Sequence, residues 1–180
     1  MDKNFERAYS LPIGKLKKGQ NEVKFLLDKA FLSHFEHAPI EDCEATASLA
    51  IHRYDTHLDV TFLLKGKMQL ECDRCLEMFS YPFEAENRVL YAFEEDMTFS
   101  DEDEVQYVSP SSAEILIGSD LYDFLCLAIP YRKTHEDANE NCSEEIMRLL
   151  GLNEKDETET EEEAAIDPRW EMLRKLKDKE

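Results

Sequence analysis

Glycine is scarce in this chain, five in 180 residues, and that scarcity argues against a glycine-rich phosphate-binding loop. No apolar run approaches the ~20 residues that a membrane-spanning helix needs. Basic residues are outnumbered, 21 Lys and Arg against 41 Asp and Glu, which leaves a formal net charge of −20 at pH 7. A chain so charged is a poor direct ligand of nucleic acid and a better host for a basic protein. Five cysteines, an odd number, fit a reducing compartment better than a secreted disulfide framework. The first seven residues carry no apolar signal-peptide core, so a cytoplasmic protein is expected. Nucleophile-elbow and HExxH motifs are missing, and the carboxylates lie in solvated runs without a pocket signature. These absences point away from an enzyme.

What is present suffices for a core: hydrophobic residues make up 42% of the chain, ten of them Phe. The acidity is concentrated. Residues 94–104 carry −7 and residues 135–167 carry −11, leaving −2 for everything else. The first run reads as an exposed acidic loop, and residues 151–166 as an acidic linker too poor in large apolar residues to fold alone.

The β signal is strongest in the first half. Residues 8–27 read as extended, and Asp28 then caps a short helix over residues 29–37 that buries Phe31, Leu32 and Phe35. Ala45, Ala47, Leu49 and Ile51 alternate with polar or small residues, and Leu58, Val60, Phe62 and Leu64 repeat the pattern. Lys65-Gly66-Lys67 reads as a tight turn into a third strand, Met68 to Cys72, and another strand covers residues 79–93. Short strands follow at 105–108 and 114–118. Asp120 is expected to cap a helix through Leu121, Phe124 and Leu125, and a last short helix spans residues 141–150. The fold class is α+β: an antiparallel meander with a few packed helices, one domain over residues 1–150, and a detachable acidic C-terminus.

Cys72-Asp73-Arg74-Cys75 stands where one strand ends and the next begins. Thiolates three apart on a turn can face one tetrahedral ion, and His135 and Cys142 offer the remaining two ligands of a Cys3His zinc site. A redox pair would prefer a helix N-terminus, which this position lacks; unused reduced thiols are the third reading. Cys126 reads as core filling and Cys43, among acids, as a partly exposed free thiol. Arg53, Lys65, Lys67, Arg74 and Arg88 fall in or beside the meander and would form a modest phosphate-contacting patch if they share a face; ordinary balanced surface charges are the alternative. Residues 167–180 place Trp170, Leu173 and Leu176 at helical spacing after Pro168, an amphipathic element that either docks back or anchors a partner.

Three segments together carry a resemblance: Leu70-Glu71-Cys72-Asp73-Arg74-Cys75-Leu76-Glu77, then Leu127-Ala128-Ile129-Pro130, then Asp167-Pro168-Arg169-Trp170 with Leu173 and Leu176. In that order they resemble the YceD family of large ribosomal RNA subunit accumulation proteins, over most of the chain from about residue 10. The resemblance implies a non-catalytic ribosome-biogenesis factor supporting accumulation of large-subunit (23S) rRNA. It also implies, as partner, large-subunit rRNA or a basic large-subunit ribosomal protein. Cys72 and Cys75 match the family motif directly. Many relatives carry a further cysteine cluster after the proline, where this chain has only His135 and Cys142. The alternative function is a structural zinc or CxxC-thiol interaction module without an RNA role.

Overall fold

The computed structural model describes residues 3–36, 38–93 and 105–151. The acidic loop 94–104, the linker beyond Gly151 and the element bearing Trp170, Leu173 and Leu176 lie outside the described residues. Met1–Cys142 form one compact unit and Ser143–Glu180 a second. In the second, the described element is a short helix, α4 (Glu144–Leu149), whose first turn closes through Met147 N–H to the Ser143 carbonyl at 3.0 Å.

Period-two sequences build the first unit. β2 (Gly19–Leu27), β3 (Cys43–Arg53), β4 (His57–Glu71) and β5 (Met78–Phe93) pair antiparallel in sequence order. β6 (Val105–Val108) adds to β5 in parallel, with Leu90 opposite Val105, so the antiparallel expectation gives way to a mixed sheet at this one edge. Along β4, Leu58, Val60, Phe62, Leu64, Met68 and Leu70 are buried on one face while the residues between them face outward.

β4 is continuous, and the turn expected at Gly66 does not exist. Gly66 pairs with Ala45 on one side and Phe83 on the other. A β-carbon at residue 66 would fall 2.6 Å from the Ala45 methyl and closer still to the Glu44 carbonyl. The glycine serves close backbone approach within the sheet, a use that the same residue has alongside turns.

The inner face is covered by α2 (Lys29–Leu32) and α3 (Gly118–Leu127), with Phe31, Leu121 and Leu125 buried, and α1 (Lys3–Ala8) packs its buried Phe5 against Phe31 and beside Gly118. Asp28 caps α2 as expected, accepting from Phe31 N–H at 2.9 Å, although the helix is one turn rather than residues 29–37. β1 (Ser10–Pro12) and β7 (Glu114–Leu116) make a separate two-stranded ribbon. The backbone cap of α3 is Ile117, not Asp120. Asp120 is instead buried inside the first turn, accepting hydrogen bonds from Tyr91 Oη and Gln106 Nε2, both at 2.7 Å. It thereby ties β5, β6 and α3 together. Burial raises its carboxyl pKa, an effect only partly offset by those two donors.

Candidate metal centre

The hairpin between β4 and β5 is closed by two main-chain bonds. Cys72 N–H donates to the Glu77 carbonyl at 3.0 Å and Leu76 N–H to the Cys72 carbonyl at 2.9 Å. Closing the turn so tightly puts Leu76 at φ 60°, in the left-handed region. The turn points both sulfurs inward, and Cys72 and Cys75 are buried.

The opposite half comes from the chain after α3. Pro130 stops that helix, and the next residues lie against the hairpin: Asp73 N–H donates to the Lys133 carbonyl and Lys133 N–H to Asp73 Oδ2, both at 2.8 Å. A capping box at Thr134 and Asp137 starts a 3-10 turn, His135–Ala138. Asn139 in the left-handed region closes it, and Glu140 N–H reaches back to the His135 carbonyl at 2.8 Å. The His135 ring is buried, 5.0 Å from the Phe79 ring centroid.

Four ligand atoms therefore converge. Cys75 Sγ lies 3.5 Å and Cys142 Sγ 3.7 Å from His135 Nδ1, and Cys72 Sγ lies 3.8 Å from Cys142 Sγ. The four atoms all fall within 4.8 Å of one another. A tetrahedron with zinc–sulfur bonds near 2.3 Å separates its sulfurs by about 3.8 Å, which the three closest separations already match. Three soft thiolates with one imidazole are the donor set of structural zinc rather than of calcium or magnesium.

The electrostatics favour thiolate at one corner. Burial opposes charge on Cys72, but the N–H groups of Cys75 and Arg74 and the His135 ring outweigh it and lower the thiol pKa. Cys142 moves the other way, raised by burial and by the two neighbouring sulfurs. Arg74, in the hairpin, holds Glu136 at 2.6 Å and clamps the two halves from outside. The other thiols stand apart. Cys43 is buried rather than exposed, donates to the Leu27 carbonyl at 3.3 Å, and has its pKa pushed up to about 12 by desolvation and by Asp42 and Asp28. Cys126 is only half-buried.

The family model for the large ribosomal RNA subunit accumulation protein YceD matches residues 60–177. The chain belongs to the YceD family. The matched span takes in β4 from Val60 onward, β5, the hairpin cysteines, α3 and the segment carrying His135 and Cys142. No curated protein and no solved structure matches the chain.

The structure separates the five basic residues considered for a phosphate-contacting patch. Arg53 turns to the inner face and donates to the carbonyls of Ile13 and Leu16 at 2.7 and 2.6 Å, fixing the 3-10 turn Ile13–Lys15 against the sheet. Lys65, Lys67 and Arg88 stand on the outer face. Lys65 pairs with Glu84 at 2.8 Å, and Arg88 grips Asp59 through two bonds of 2.7 and 2.6 Å. Arg74 belongs to the hairpin. Sequence reading missed Asp73 and Lys133 as the main-chain latch between the two halves. The signal was the acid inside the CxxC, a residue able to accept from the main-chain N–H of a neighbouring segment.

Proposed function

We propose that this protein is a non-catalytic cytoplasmic factor in assembly of the large ribosomal subunit, supporting accumulation of its 23S rRNA. The observation carrying the reading is the family match over residues 60–177, whose span includes all four members of the Cys–His cluster. Cys72, Cys75, His135 and Cys142 would hold one zinc ion, which when bound supplies cross-linking rather than catalysis. The chain's own residues do the rest: the Asp73–Lys133 bonds and the Arg74–Glu136 pair align the two halves before an ion enters. Large-subunit rRNA is reached through a basic ribosomal protein in preference to direct binding. Support for that preference comes from the net charge of −20 and from the diversion of Arg53, Lys65 and Arg88 into intramolecular contacts. Trp170, Leu173 and Leu176 would add a second anchor for the same partner.

Depleting the protein from cells and measuring the ratio of large- to small-subunit rRNA tests the reading. A selective fall in the large-subunit species is expected; an unchanged ratio would refute it. Metal analysis of the purified chain, expected to give about one zinc per molecule, tests the site separately.

A further inference from the structure

The hairpin that carries Cys72 and Cys75 presents apolar side chains to solvent at its apex. Leu76 is 70% exposed although its backbone sits at φ 60°, a conformation that glycine or asparagine adopts at lower cost. Neither the turn nor the core needs a leucine there. Met78, two residues on, is 41% exposed at the start of β5. Tyr131 is fully exposed, two residues before the Lys133 that bonds Asp73 of the same hairpin. Leucine apart, these are residue types enriched where proteins meet, and strain retained beside an exposed side chain is a pointer to use.

The charges around the apex say what would cover it. Glu71 lies directly opposite Met78 across the β4–β5 pair, and Glu77 follows Leu76. Glu140 is exposed on the neighbouring segment. None of these three carboxylates has an ion pair among the described residues, whereas Arg74, Arg132 and Lys133 are each paired with Glu136 or Asp73. The cations at this end are satisfied within the chain, and the anions left over are not.

We propose that the hairpin apex is a docking surface for a basic polypeptide, with Leu76 and Tyr131 as apolar anchors and Glu71, Glu77 and Glu140 as the complementary rim. This rests on the assembly-factor reading above and names the face through which the partner is held. RNA is disfavoured by the same carboxylates, which would stand against its phosphates.

The test uses the full chain carrying a photo-crosslinking benzoylphenylalanine at position 76, mixed with proteins extracted from salt-washed large ribosomal subunits and, separately, with single-stranded RNA. Crosslinking to a protein of high lysine and arginine content is expected. Crosslinking to RNA alone, or to nothing, overturns the proposal. The protein captured by the wild-type hairpin is then titrated against Leu76→Gly and Tyr131→Ala. Glycine suits φ 60°, so Leu76→Gly should keep or raise the melting temperature while weakening binding about tenfold. A drop in melting temperature with unchanged affinity would make Leu76 structural and refute its role as an anchor. In depleted cells, wild-type chain should restore the rRNA ratio and the double variant should not. Full restoration by the double variant would sink the docking surface and leave the assembly role standing; a ratio insensitive to depletion itself would sink the assembly role.

Discussion

The central sheet and the cysteine hairpin with its facing segment are held by different physics. In β3, β4 and β5 the inward side chains are mostly apolar and buried, Arg53 and Asn87 being the polar ones, and each strand pairs along its whole length with a neighbour. The segment from Lys133 to Cys142 has few large apolar residues. It is fastened to the hairpin by a backbone latch, two ion pairs and the convergence of three sulfurs and an imidazole, and shaped by its own capping box. Burial tolerates substitution by degrees, because area is lost a little at a time. Chelation is closer to all or none. The two regions therefore ought to fail separately.

Replacing Cys75 by Ser should give the largest effect, loss of about one bound zinc per chain, with hydrogen exchange accelerating over residues 133–142 and β3–β5 amides unchanged. Equal acceleration in both would show one cooperative unit. Next in size, Phe62→Ala should cost about 3–5 kcal/mol in denaturant unfolding, because Phe62 is fully buried against Phe124. Zinc retention by that variant under native conditions would support the separation. Gly66→Ala should follow at about 1–3 kcal/mol, since the new methyl meets main chain that cannot give way; a neutral result would mean that β3 and β4 can part locally.

Zinc affinity should also fall as pH falls, by about tenfold per unit while a single thiol proton must be displaced. Cys142, whose thiol pKa is raised, supplies that proton on binding, whereas the lowered pKa of Cys72 predisposes it to enter as thiolate. A pH-independent affinity would remove Cys142 from the ligand set. The smallest effect belongs to the outer face: Lys65→Ala should change stability by less than about 1 kcal/mol, its pair with Glu84 being solvent-exposed.

Strands β3 to β5 were legible because period-two alternation is a direct consequence of pleating, and the four candidate ligands were legible from a two-residue spacer inside CxxC and two donors after Pro130. Other features depended on neighbours that alternation cannot reveal. Gly66 carries the composition of a turn but meets the backbone of another strand. Asp120 has the type and place of a cap, yet its carboxylate is claimed by Tyr91 and Gln106 from distant elements. Cys43 sits among acids in sequence while its own side chain alternates inward with Ala45. The outward or inward turn of Arg53 likewise depends on where the carbonyls of Ile13 and Leu16 arrive.

β4 runs for 15 residues without a break. At ~3.3 Å per residue that is a strut of roughly 45 Å, stiffened by β5 along its whole length and by β3 from Leu58 to Met68. Its two ends, the cysteine hairpin and the loop at Tyr54, are held apart by a fixed distance that no side-chain rearrangement can close. A load applied at one end is carried by a ladder of hydrogen bonds to the other, and two bodies gripped at the two ends would be spaced rather than joined.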